Sequence, residues 1–231
     1  MLRIEQLSFS YGSIRTLREV DMVMQPGEVT CIVGRNGVGK TTLLKNIMGV
    51  LKPNSGSITV DDRVVTNMTA YKRARIGLGL VPQGRQIFPR MTVEENLFVG
   101  LEASPVPTRK IPEFVYDLFP VLQEMKVRMG GDLSGGQQQQ LAIARTLVGS
   151  PKVMLLDEPT EGIQPNIIQY IGQVLQKLAR EQNMTIILVE QYLDFVHEFG
   201  DRFYLMNRGK SVAGGTTDEL TAELTKKYLS V

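Results

Sequence analysis

The sequence predicts an α/β fold in which a parallel sheet carries helices on both faces, is flanked by antiparallel β-strands and is interrupted by an inserted α-helical subdomain. Strand-like and helix-like runs alternate along the chain, with no low-complexity linker and no internal repeat. Three runs, CIVG, VMLLDE and TIILVE, are apolar almost throughout, as expected of strands covered on both faces. The crossovers between them are long, as parallel pairing requires.

In chain order, the first 30 residues pattern as antiparallel strands. Glu28–Val33 is a short aliphatic strand, and Lys40–Met48 is a helix that Gly49 closes from a left-handed C-terminal position. The Ser57–Val65 region again reads as antiparallel, with Ser57–Val60 as its strand, and Leu78–Val81 is the next core strand. From about Gly84 to Gly149 the strand signal vanishes, and helices are predicted over Val93–Leu101, Pro112–Met125 and Gly135–Val148. Strands Val153–Asp157, Thr185–Val189 and Phe203–Met206 then alternate with helices Ile167–Glu181 and Asp218–Leu229. At 231 residues the chain suits one large domain or two small ones, at roughly 100–200 residues each. The reading is a single domain over 1–231, with 84–149 as a helical subdomain set into a core made of 1–83 and 150–231.

With 42% apolar and 22% charged residues, the composition is that of a folded globular protein and not of a disordered one. Lysine and arginine number 26 against 24 acidic residues, a net charge of +2 that argues against nucleic acid as a partner. The single cysteine, Cys31, cannot form an internal disulfide and reads as a buried packing residue. The single histidine, His197, disfavours histidine-based metal or triad chemistry and is expected on a helix surface. No apolar run approaches the ~18 residues of a spanning helix, and the start MLRIEQ lacks a signal-peptide core, so a cytosolic location is expected.

Gly34-Arg35-Asn36-Gly37-Val38-Gly39-Lys40-Thr41 fits G-x4-G-K-[ST], follows a predicted strand and opens a predicted helix. Glycines let the backbone turn tightly, so consecutive N–H groups can face phosphate oxygens. The helix N-terminus adds its positive end. Lys40 offers a mobile charge to the β- and γ-phosphates and Thr41 a hydroxyl to Mg²⁺. Thr42, next in sequence, completes the expected contact set.

Val153–Glu158 is a buried-strand run ending in two carboxylates, Asp157 and Glu158. If the strand persists to its end, they point to opposite faces and do different work. Asp157 is placed to hold a Mg²⁺-bound water, and Glu158 to polarise the attacking water. The competing reading is a solvated strand end before Pro159.

Leu133-Ser134-Gly135-Gly136-Gln137 precedes a helix with Leu141, Ala144 and Val148 at helical spacing; Ser134 suits the N-cap, and the glycines admit a phosphate. Lying between the phosphate loop and the acidic strand, this LSGGQ makes the chain resemble the ATP-binding cassette (ABC) ATPases of transporters over essentially its whole length.

The resemblance implies a P-loop NTPase (RecA-like) core, Mg²⁺-dependent ATP hydrolysis coupled to transport, and ATP and Mg²⁺ as ligands. It assigns Tyr11 to stacking on adenine and Gln83 to touching Mg²⁺ and coupling nucleotide to the helical subdomain. It pairs two cassettes head to tail, so that Ser134, Gly135, Gly136 and Gln137 complete the partner's site. It also implies two integral-membrane permease subunits, an extracytoplasmic solute-binding protein and a station on the cytoplasmic face of the bacterial membrane. Two positions depart from the family pattern. Gln164 stands where an aspartate crosses to the partner, and Gln191 stands at the switch histidine. A glutamine can hydrogen-bond the γ-phosphate but cannot titrate.

Thr92–Leu97 (TVEENL) and Val189-Glu190-Gln191 are similar to the branched-chain amino acid and urea importer subgroup. Pro82–Arg85, Ile87–Pro89, Gly130–Asp132, Gln137–Gln140, Thr160–Pro165 and Glu190–Phe195 are most similar to the second ATPase subunit of bacterial urea importers. Uptake of urea or a related small amide is therefore expected, with branched-chain amino acid import as the alternative and a soluble, non-transport cassette as a remote one. A pairing with a different cassette is expected over a homodimer. Gln138, Gln139 and Gln140 are expected to solvate their helix or meet the partner; Arg85 and Arg90 either meet a membrane subunit or are solvated.

Overall fold

The computed structural model describes residues 1–105 and 108–229. The chain opens with β1 (Leu2–Tyr11), β2 (Ile14–Met24) and β3 (Val29–Val33), then α1 (Lys40–Met48). β4 (Ser55–Val60), β5 (Arg63–Val64), α2 (Ala70–Arg75) and β6 (Leu78–Val81) follow. Helices α3 (Val93–Leu101), α4 (Glu113–Leu118), α5 (Pro120–Glu124) and α6 (Gly135–Leu147) fill the middle of the chain. The remainder is β7 (Val153–Asp157), α7 (Pro165–Gln182), β8 (Thr185–Glu190), α8 (Leu193–Phe199), β9 (Arg202–Asn207), β10 (Lys210–Thr216) and α9 (Ala222–Tyr228).

Two sheets result. β2-β1-β4-β5 is antiparallel, with Leu2 opposite both Met24 and Val60. The six-stranded sheet runs β10-β9-β3-β8-β7-β6, parallel except for β10 at its edge. Strand alternation divides the core in two. Ile32, Leu155 and Ile187 pack with α1 and the antiparallel sheet. Cys31, Leu156 and Leu188 face the opposite way, into a cluster shared with α6, α7 and α8. Cys31 is fully buried, and burial pushes its thiol up, with Glu190 and Asp201 adding to the shift. No helix among the described residues is long and apolar enough to cross a membrane.

The parallel strands lie at or within two residues of the predicted bounds, while two predicted helices break. Pro112–Met125 becomes α4 and α5, because Pro120 has no N–H and forces Phe119 out of the helical region, to φ −136° and ψ 71°. Asp218–Leu229 becomes a turn of 3₁₀ helix over Thr217–Glu219 followed by α9, whose N-cap Thr221 accepts the Leu224 N–H. The glutamine run is also corrected: Gln139 and Gln140 are buried on the inner face of α6. α2, α8 and β10 escape the sequence reading; the two helices are short, and β10 is an edge strand carrying Gly214 and Gly215.

Helix α1 is held at both ends. Its N-terminus follows Gly39 at φ 111°, a conformation only glycine adopts without strain. At its C-terminus Gly49 takes the left-handed cap, and Arg73 of α2, 1% exposed, donates to the carbonyls of Asn46 (2.7 Å) and Ile47 (2.6 Å). The same guanidinium donates to Thr66 and Met68. A buried cation on the last carbonyls of a helix complements the negative end of its dipole. Replacing Arg73 by Leu removes these donors and is expected to cost about 2–4 kcal/mol. Urea unfolding would show this as a lower midpoint at unchanged slope.

Candidate functional site

Three neighbouring strands, β3, β8 and β7, end on the same edge of the parallel sheet. β3 delivers the glycine-rich loop, β7 delivers Asp157 and Glu158, and β8 delivers Glu190 and Gln191. β6, beyond β7, delivers Gln83 after Pro82. Such an edge is where ligands bind in open α/β sheets.

Lys40 is 5% exposed and folds back on its own loop, donating to the carbonyls of Gly34 (2.6 Å) and Arg35 (2.9 Å). Its Nζ lies 3.9 Å from Glu158. Burial pulls its pKa down, while Glu158, Asp157 and Glu190 push it back up. Thr41 donates to Asp157 Oδ1 at 3.2 Å. Burial raises the Asp157 carboxyl, the Thr41 hydroxyl lowers it, Glu158 raises it, and Lys40 and Lys45 lower it.

The strand does not persist through Glu158. β7 stops at Asp157, and Glu158 turns at φ 49° while its N–H donates to Val189 O at 2.9 Å. This left-handed turn brings Glu158 onto the same cavity as Thr41; because the strand ends at Asp157, the condition under which the two carboxylates would alternate faces is not met. The carboxylate accepts from Gln83 Nε2 at 2.9 Å and from Gln191 Nε2, which also donates to Asn36 Oδ1 at 2.6 Å. Gln83 reaches Glu161 as well.

The cavity, about 340 Å³, is lined by Thr16, Asn36, Gly37, Gly39, Lys40, Thr41, Thr42, Gln83 and Glu158. Gly34, Arg35, Asn36 and Gln191 border a second hollow beside it. Val38 instead turns into the core formed with α1. Tyr11 ends β1 with its ring 47% exposed and edge-on to Phe9, outside the cavity lining. The polar cradle at a helix N-terminus fits a phosphate chain. Thr41 and Asp157 fit a Mg²⁺ ion that takes its other oxygens from phosphate and water. Among the described residues no three acidic, histidine or cysteine side chains converge to hold a metal without such help.

Ser134 caps α6: its hydroxyl accepts the Gln137 N–H, and the Gln137 side chain accepts the Ser134 N–H. Ser134, Gly135, Gly136 and Gln137 line a separate depression of about 580 Å³ with Gln164 and Tyr170. None of them lines the phosphate cavity. Arg85 turns toward Gln138 and the carbonyls of Glu161 and Gly162, whereas Arg90 is exposed. His197 lies on the exposed face of α8.

Sequence reading missed Thr16, Glu161 and Glu190 as parts of this edge. Glu190 carried a usable signal, since it ends an apolar strand just as Asp157 does. It is 2% exposed; burial raises its carboxyl, while the bond from Thr160 and the backbone N–H groups of Gln191 and Tyr192 lower it. For Lys40→Ala, ATP binding is expected to weaken at least about ten-fold, with hydrolysis lost. A fluorescent-nucleotide titration and a phosphate-release assay check this, with thermal unfolding close to wild type.

Residues 17–161 match the family model described as ABC transporter. The chain is 37% identical to the high-affinity branched-chain amino acid transport ATP-binding protein BraG of Pseudomonas aeruginosa, over 94% of this chain and 93% of that one. It is 35% identical to the probable branched-chain amino acid transport ATP-binding protein LivF of Archaeoglobus fulgidus, over 95% and 94%. Among solved structures, a nucleotide-free ATP-binding cassette from an ABC transporter superposes with a TM-score of 0.85 at 28% identity, covering 100% of this chain and 95% of that one. A dimeric cassette bound to ADP and Pi in a post-hydrolysis state gives 0.84 at 25% identity, over 94% and 99%. Sequence and fold agree over nearly the whole length: the chain belongs to the ATP-binding subunits of the ABC transporter family, whose members bind and hydrolyse ATP.

Proposed function

We propose that the chain energises solute import by hydrolysing Mg²⁺-ATP at the edge formed by β3, β7 and β8. The observation that carries this reading is the convergence of Asn36, Lys40, Gln83 and Glu158 on one phosphate-sized polar cavity, with Gln191 donating to Asn36 and Glu158 from the adjoining hollow. The loop N–H groups from Gly34 to Thr42 cradle the phosphates, with Lys40 between β and γ. Tyr11 stacks on the adenine. Thr41, Asp157 and Gln83 would hold Mg²⁺, which would neutralise charge on the phosphate oxygens. Glu158 accepts a hydrogen bond from the attacking water and orients it in line with the γ-phosphorus. To do so it must release the amides of Gln83 and Gln191, which can turn to the γ-phosphate and its surroundings.

Ser134, Gly135, Gly136 and Gln137 serve a second cassette, an assignment supported by their standing on a face apart from the phosphate cavity. Two permease subunits complete the assembly at the cytoplasmic face of the membrane, with a solute-binding protein outside. A groove of about 630 Å³ beside the Gln83 loop, with exposed Phe88 and Val99 on its wall, supports a permease contact on segment 84–149, the proposed helical subdomain. On the solute, the relatives at 35–37% identity are named for branched-chain amino acid transport. That favours branched-chain amino acids over urea, whose support is the motif pattern from Pro82 to Phe195. Uptake of labelled leucine against labelled urea by the reconstituted importer decides between them.

In light scattering with ATP and Mg²⁺, Glu158→Gln is expected to bind ATP and accumulate a closed dimer, with phosphate release down by more than about 100-fold. Asp157→Asn is expected to lose the Mg²⁺-dependent part of that dimerisation. Wild-type phosphate release in Glu158→Gln refutes the catalytic assignment. A dimer that forms only when the partner cassette is added identifies an obligate heterodimer.

A further inference from the structure

The ladder between β7 and β8 ends at the pair Asp157↔Val189. Beyond it the two strands diverge, one into the loop carrying Glu158, Thr160 and Glu161, the other into the loop carrying Gln191. The next residue of β8, Glu190, lies opposite Val33, the last residue of β3 before the phosphate loop. Its buried carboxylate spans the divergence. Oε1 accepts the Thr160 N–H at 3.1 Å, and Oε2 accepts the N–H groups of Gln191 at 3.1 Å and Tyr192 at 3.5 Å. The Glu158 N–H, donating to Val189 O, fastens the same two segments one residue earlier.

We propose that Glu190 is a positioning residue that clamps the Glu158–Glu161 loop to the Gln191 loop, and so sets the approach of the Gln191 amide to the Glu158 carboxylate. The geometry favours an acid over any other side chain here: the three N–H bonds support its ionised form, which burial opposes. Three backbone donors converge on it, and a carboxylate offers two oxygens and no hydrogen to meet them. An apolar residue would orphan buried N–H groups. A glutamine would turn an amide N–H₂ toward one of them. The clamp acts on geometry and touches neither phosphate nor water, so it governs turnover more than nucleotide affinity. This rests on the roles of Glu158 and Gln191 proposed above, and the test separates the two.

The experiment is steady-state ATPase kinetics of the full chain, with its partner cassette where turnover requires it, for wild type, E190Q, Q191A, the double variant and E158Q. E190Q keeps shape but can anchor only one of the two loops, so kcat is expected to fall about ten-fold, with KM for ATP and fluorescent-nucleotide affinity within about two-fold. In the Q191A background the effect of E190Q is expected to shrink to under about three-fold, because residues acting through one another are not additive. E190D retains the charge and both acceptors and recovers part of the loss; it replaces E190Q in the cycle if E190Q does not fold. A wild-type kcat in E190Q overturns the proposal, as does a rise in KM at constant kcat or a fully additive double variant. If E158Q hydrolyses at the wild-type rate, the underlying site assignment falls instead.

Discussion

The Lys40 ammonium, folded onto the carbonyls of its own loop, is the charge around which the sheet edge is organised. A buried cation is costly, and the neighbouring strands offset that cost with Asp157, Glu158 and Glu190. One ammonium does not balance three carboxylates, however, and burial already works against ionisation of Asp157 and Glu190. A phosphate chain arriving alone would add further negative charge to this edge. Arriving with a divalent cation, it brings the charge that the Thr41–Asp157 pair needs. Dependence on Mg²⁺ thus follows from the arrangement of acids as much as from the chemistry of ATP.

Holding that edge in register falls to features far from it. Helix α1 presents its positive end to the phosphate cavity, while Arg73 binds its other end from α2. A helix so fixed keeps its first-turn N–H groups aimed without reorganising when phosphate binds, which is the condition for electrostatic stabilisation to be effective. Glu158 shows the complementary device. Its left-handed backbone, a strained conformation for a non-glycine residue, points its carboxylate back over the cavity.

What was legible in the sequence shares a common physical origin. The phosphate loop, Asp157, the α1 cap at Gly49 and the parallel strands are local: each is written as an apolar run punctuated by glycine or acid within a few residues. Pro120 was equally local and was overlooked within a longer helical pattern. The structural roles of Arg73 and Glu190 were harder to read. The partners that define them, Asn46 and Ile47 for Arg73 and Thr160 for Glu190, lie 26 or more positions away in the chain. For Glu190 the one local signal is that it ends an apolar strand. Gln139 and Gln140 misled because glutamine is ordinarily solvated, whereas here α6 turns that face inward. The orientation of Glu158 stayed open in the sequence, because strand alternation holds only as far as the strand does and β7 stops at Asp157.

The separation of the two concave faces has a consequence for how ATP can be used. Within one chain, Ser134 and its glycines stand apart from Lys40, so a nucleotide on the phosphate loop meets solvent where a second set of backbone N–H groups would otherwise close over it. The capping box on Ser134 keeps those N–H groups ordered without a ligand, so little entropy remains to be lost when a phosphate from another subunit reaches them. Meanwhile Glu158 is held by the amides of Gln83 and Gln191, and these bonds must be exchanged before water can be polarised. On the proposed roles, closure by a second cassette and release of Glu158 would be linked through the same γ-phosphate. On the same roles, a subunit alone is expected to bind nucleotide but turn it over slowly, which would tie hydrolysis to the assembled transporter.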